Sequence, residues 1–147
     1  MDKILVAVDG SEPSMRAVAL AAELAAKQGA TLTLVAVVRQ LERLDPALSA
    51  YAESEHIRSP GVELPLAAAD NMLERARERA TKAGAKRIAV DAPMGDPAEQ
   101  IIDAAAAHKA DLVVLGTRGH GRLRGLLVGS VAQKVVSHAP CPVLVVR

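Results

Sequence analysis

The sequence has no phenylalanine and no tryptophan, and Tyr51 is its single aromatic residue. Stacking of successive bases on aromatic side chains is therefore excluded, which argues against a single-stranded nucleic-acid binder. Cys141 is the only cysteine, so no disulfide can close within the chain, and a reducing, cytoplasmic setting is expected. Between Pro140 and Pro142, ahead of an apolar strand, it reads as a small buried packing residue. No apolar run approaches the ~18 residues of a membrane span, and no signal peptide precedes the first strand. An excess of one charge is missing too: the formal net charge is +1, too little for a general binder of polyanions. His56, His108 and His138 show no metal-ligand spacing.

What is present is an aliphatic chain of 147 residues, 50% of them hydrophobic. That suffices for one domain, residues 1–147, with a sizeable core. Ile4 to Val8 reads as a buried parallel strand. Asp9-Gly10-Ser11 turns the chain, and Ser11 or Glu12 caps a helix with Pro13 in its first turn and Gly29 as its stop. Thr31 to Val38, rich in β-branched residues, is the second strand. From Arg39 to about Leu64 the pattern dissolves among Pro46, Ser49, Ser54, Ser59, Pro60 and Gly61, apart from a short helix that Leu41–Tyr51 could form; a segment this long is either a functional lid or mobile, and a flexible loop over 39–64 is expected.

Ala69, Met72, Leu73, Ala76, Ala80 and Ala83 then share one helical face, and Gly84 ends that helix. Lys86 to Ala92 supplies a third strand. Asp96-Pro97-Ala98-Glu99 opens a helix that runs to near Lys109, with Asp as cap and Pro at the first helical position. Leu112 to Leu115 is a fourth strand. Ser130-Val131-Ala132-Gln133 reads as a second capping box, opening a helix that Pro140 stops, and Val143 to Val146 is a fifth strand. Alternation of this kind predicts an α/β fold: a doubly wound, open parallel five-stranded sheet with helices on both faces.

The stretch between the fourth strand and the last helix carries Gly116, Gly119, Gly121, Gly125 and Gly129. Arg118, His120, Arg122 and Arg124 are interleaved with them, and no carboxylate. Glycines let backbone N–H groups close on a bound group, and a helix N-terminus adds unpaired donors and a positive dipole end. The stretch therefore reads as a phosphate cradle. A Walker A loop is a poor match, because Arg122 and Leu123 stand where Lys and Ser/Thr are required. A dinucleotide fingerprint fails as well: Arg124 replaces its third glycine, and the loop comes late in the chain.

Two residues separate Gly116 from Gly119, nine more separate Gly119 from Gly129, and Ser130 follows. This spacing resembles the glycine signature of ATP-binding universal stress proteins. The resemblance extends to the opening Ile-Leu-Val-Ala-Val-Asp-Gly-Ser, to Gly95-Asp96-Pro97, and to the closing Ala-Pro-Cys-Pro-Val-Leu-Val-Val. It implies the strand order 3-2-1-4-5, with ligands at the carboxyl ends of strands 1 and 4, where Asp9 and Gly116 lie. It implies that Ala7, Asp9 and Val37 meet the adenosine end of ATP. By the same likeness Gly116 and Gly119 approach the ribose and phosphates, and Gly129, Ser130 and Val131 grip the phosphates, with Mg²⁺ held through them.

Each of these residues also has a plainer role. Asp9 suits a turn, and Ser130 suits a helix cap, a geometry it can share with a phosphate contact. Arg118, Arg122 and Arg124 are either a solvated surface or the source of at least one phosphate contact, with Arg118 the candidate; His120 reads as exposed loop, with a phosphate contact as the alternative. The function implied is a nucleotide-dependent regulatory, stress-response module that acts on a protein partner and has no catalytic residue. Its rivals are a slow ATPase or phosphotransferase, and a dimeric scaffold without nucleotide. Val143 to Val146, an apolar edge strand in the implied order, is expected to be covered by the same strand of a second copy in a homodimer.

Overall fold

The computed structural model describes residues 1–117 and 128–147. Its elements run β1 (Lys3–Ala7), α1 (Glu12–Gln28), β2 (Thr31–Val35), α2 (Pro46–Ser54), α3 (Pro60–Lys82), β3 (Arg87–Asp91), α4 (Pro97–Ala107), β4 (Leu112–Gly116), α5 (Ser130–His138) and β5 (Val143–Val146). The strands form one sheet in the order β3-β2-β1-β4-β5, and every neighbouring pair is parallel. This is the expected doubly wound sheet.

The two-residue period of a strand sends alternate side chains to opposite faces. Ile4 and Val6 of β1 pack with Ala17, Ala21 and Ala25 of α1 and with Ala69, Ala76 and Ala80 of α3. Leu5, between them, packs on the other face with Ala98, Ile101 and Ala105 of α4 and with Val135 of α5. A core without aromatic bulk is thus made from alanine stripes on helices laid against valine, leucine and isoleucine on strands.

Local signals set the helix ends. The Ser11 hydroxyl accepts from the Ser14 N–H at 3.3 Å, and Gly29 ends α1 at φ 64°, a left-handed conformation that glycine adopts without penalty. Asp96 caps α4 by accepting from the Glu99 N–H at 3.1 Å, with Pro97 at the first helical position.

Several expectations need correction. The segment from Arg39 to Leu64 is not patternless: it holds α2 and the first residues of α3. Pro46 and Pro60, read as breakers, stand in the first turns of these helices, where the missing N–H costs nothing. α2 buries only Ala52, so no apolar stripe announced it. The second strand ends at Val35 rather than Val38. Beyond it Val38 makes an isolated bridge with Met94, donating its N–H to the Pro93 carbonyl at 2.8 Å; Pro93 has no N–H with which to continue a ladder.

Candidate functional site

β1 delivers Asp9 to the carboxyl end of the sheet. The Ser11 N–H donates to Asp9 Oδ1 at 2.9 Å, closing a turn in which Gly10 takes φ 81°. Ser14 locks the turn from below: its hydroxyl donates to the Ser11 carbonyl at 3.0 Å and accepts from the Asp9 N–H at 3.4 Å. Asp9 is therefore a turn residue in structure that also lines a cavity.

β4 delivers Gly116 beside it. A β-carbon there would lie 2.7 Å from the Pro13 carbonyl carbon and 2.7 Å from the Ser14 nitrogen. Glycine at 116 is thus required by the close approach of β4 to the first turn of α1, a reason independent of any ligand.

The last helix differs from expectation at its start. Gly129, not Ser130, is the cap: its carbonyl accepts from the Gln133 N–H at 3.0 Å, and no side chain caps the helix. Ser130 is the first helical residue, and its hydroxyl makes no capping hydrogen bond. The expected capping box is not made, and Gln133 Nε2 instead donates to the Val128 carbonyl at 3.1 Å. The Gly129 N–H is taken as well, donating to the Thr117 carbonyl at 2.6 Å. The donors that the helix geometry leaves without an intrahelical acceptor are those of Ser130, Val131 and Ala132.

These pieces surround one cavity of about 610 Å³, within the range of small-molecule sites, ~300–1,000 Å³. Ala7, Asp9, Val37, Gly116, Gly129, Ser130 and Val131 all line it. Arg118 and Gly119 lie outside the described residues, as do His120, Arg122 and Arg124. Its lining combines apolar side chains, Val35, Val37, Met72, Ile101 and Leu115, with the start of α5 and Thr117. A flat apolar group and an anionic tail would each find a matching surface.

Sequence reasoning left several lining residues unassigned to any site, among them Arg39, Pro65, Met72, Pro97 and Ile101. Pro97 and Ile101 read only as cap and core of a helix, and Met72 as one more member of an apolar stripe. Arg39 fell at the start of the apparently patternless segment. Its signal was its place, two residues beyond Val37 at the carboxyl end of a strand.

Asp96, which caps α4 beside the cavity, and Cys141, which precedes β5 at the opposite end of the sheet, have shifted pKa values. The Glu99 N–H, aided by Lys134 and Arg39, holds the Asp96 carboxyl below the usual carboxylate range. Burial pushes the Cys141 thiol up, which suits a half-buried packing residue rather than a nucleophile.

The match to known proteins spans the chain: residues 1–147 fit the universal stress protein family. The chain belongs to that family. It is 39% identical over 152 residues to the universal stress protein in QAH/OAS sulfhydrylase 3′ region of Thermus aquaticus, covering 98% of this chain and 97% of the relative. Among solved structures, the universal stress protein UspA from Lactobacillus plantarum superposes with a TM-score of 0.80 at 30% identity, covering 99% of this chain and 97% of that one. A universal stress protein solved in complex with cAMP superposes at 0.72 with 29% identity and the same coverages.

Proposed function

We propose that this universal stress protein binds ATP in the cavity between α4, α5 and the carboxyl ends of β1, β2 and β4, and acts as a nucleotide-dependent regulatory module of the cytoplasm. The observation that carries the reading is the junction of an apolar slot with the open N-terminus of α5 in one cavity. The slot suits a purine. The N–H groups of Ser130, Val131 and Ala132, with the positive end of the helix dipole, suit phosphate oxygens. That a structural neighbour carries cAMP supports a nucleotide as the ligand class. Mg²⁺ would enter with the phosphates of the bound nucleotide and offset their charge.

Binding without turnover is favoured over hydrolysis. Asp9 is the single carboxylate among the described lining residues, and the turn engages it. A water-orienting group near the terminal phosphate is what phosphoryl transfer requires. The module would act through a protein partner, as a homodimer joined along Val143–Val146.

Denaturing the purified protein and analysing the supernatant by chromatography tests the reading directly, with release of an adenine nucleotide expected. Calorimetric titration with Mg²⁺ should then show tighter binding of ATP than of AMP. Equal affinities would remove the phosphate cradle from the proposal.

A further inference from the structure

Arg39 is the one cation among the described residues that line the cavity, and its place is set by an unusual backbone contact. Leu41 donates its N–H to the Gly61 carbonyl at 2.8 Å. In an uninterrupted helix that carbonyl would accept from residue 65. Residue 65 is a proline inside α3, with no N–H to give. Pro65 thus frees an acceptor within a helix, and Leu41 takes it. The approach is backbone to backbone: a β-carbon on Gly61 would stand 2.5 Å from the Leu41 carbonyl oxygen. Arg39 lies two residues before this clasp and Pro65 four residues after it, and both line the cavity. The clasp ties the chain leaving β2 to the first turn of α3, at the cavity mouth.

The guanidinium itself has only a loose partner. Its Nη2 lies 3.9 Å from Asp96 Oδ2, and the side chain is 69% exposed, beyond hydrogen-bond distance. Asp96 meanwhile serves other groups: Oδ1 accepts from the Glu99 N–H at 3.1 Å and lies 3.8 Å from Lys134 Nζ. Lys134 is one turn into α5, so the shared carboxylate sets Arg39 beside the helix whose N-terminus faces the cavity.

We propose that Arg39 is a specificity-determining residue for polyphosphate: on binding, its guanidinium leaves Asp96 for the ligand's phosphate oxygens, and the Leu41–Gly61 clasp keeps it within reach. This rests on the nucleotide reading above and adds a residue and an exchange of partners to it. An exposed ion pair at this separation contributes little and is readily given up. A planar guanidinium can then donate two parallel bonds to phosphate.

Calorimetric titration of folded variants with ATP, AMP and adenosine in the presence of Mg²⁺ tests the proposal. Arg39→Ala should weaken ATP about tenfold, as loss of a charge-assisted hydrogen bond does, and leave adenosine unchanged. Gly61→Ala, which keeps Arg39 but forces the clasp apart, should weaken ATP in the same sense. Asp96→Asn, which retains a competent helix cap, should tighten ATP, and the gain should vanish in the Arg39→Ala/Asp96→Asn double variant. Arg39→Ala binding ATP like the wild type would overturn the proposal while leaving the nucleotide reading intact. Equal losses for ATP and adenosine would also overturn it, since they mark a structural role. A wild type that takes up no adenine nucleotide would sink the nucleotide reading and this proposal together. If Gly61→Ala does not fold, the Arg39 and Asp96 variants still decide.

Discussion

The Gly129 N–H donates to the Thr117 carbonyl at 2.6 Å, and the Thr117 N–H in turn donates to the Val146 carbonyl at 2.8 Å. The two ends of the glycine-rich stretch are thereby tied together and anchored to β5. Gly129 has φ −70° and ψ 165°, extended backbone that any residue adopts. Its importance, if a ligand sits there, is the space it leaves and not its conformation.

Gly129→Val should therefore fold and lose ATP affinity. Circular dichroism and calorimetric titration together check this: unchanged spectra with unchanged binding would remove Gly129 from the phosphate site. Ser130→Ala should be milder on both counts. Its hydroxyl caps nothing, so stability should stay within about 0.5 kcal/mol of the wild type, and backbone donors remain for the ligand. Complete loss of ATP binding by a folded Ser130→Ala protein would contradict this division of roles.

Gly116→Ala should behave in the opposite way. The added methyl meets the backbone of Pro13 and Ser14, which cannot swing aside as a side chain can. Destabilisation of about 1–3 kcal/mol is expected, measured by urea unfolding without nucleotide. A variant as stable as the wild type would show that β4 and α1 can separate freely.

Val145→Pro should separate the proposed homodimer. β5 is an edge of the sheet. The Val113 N–H donates to the Pro142 carbonyl and the Thr117 N–H to the Val146 carbonyl, so residues 142, 144 and 146 turn their backbone groups toward β4. The Val145 N–H, offset by one residue, points to the open edge. Proline there removes an edge donor and spares the β4 ladder. Light scattering at micromolar concentration should show a dimer for the wild type and a monomer for the variant; a wild-type mass near the 15.3 kDa of one chain would refute the pairing.

Stability should fall on acidification. The N–H groups of Asp2 and Lys3 donate to Asp111 Oδ2 at 2.7 Å and 2.9 Å and hold its carboxyl below the usual range. The Glu99 N–H does the same for Asp96. A carboxyl whose pKa is lowered by folding stabilises the fold above its unfolded value, near pH 4, and that contribution is lost as pH falls through the folded value. Urea midpoints measured from pH 6 to pH 2 should decline for the wild type and decline less steeply for Asp111→Asn. Parallel declines would remove Asp111 as a cause.

Much of the fold could be read from local patterns because local physics sets it. The run Ile4 to Val8, the cap at Ser11, the stop at Gly29 and the start at Asp96-Pro97 each depend on residues within one turn or strand, and each lies where the pattern put it. Reading failed where local rules admit two outcomes. Pro46 and Pro60 break a helix in its interior but suit its first turn, and α2 buries too little to show a stripe. Ser130 follows a glycine that is itself a competent cap, and the first intrahelical bond, from Gln133 to Gly129, decided between them.

The sequence by itself determined a parallel α/β chain, the glycine spacing after the fourth strand and the residues at the strand ends, because periodicity, caps and turns are properties of neighbours along the chain. Only the tertiary structure decided which of those ends meet. It brought Pro13 against Gly116, turned the Gly129 N–H toward Thr117, and let Pro65 release a carbonyl for Leu41, which set Arg39 at the cavity mouth. These contacts join residues far apart in sequence. Which backbone groups face each other there depends on how the crossovers stack on the sheet, and no local pattern records that.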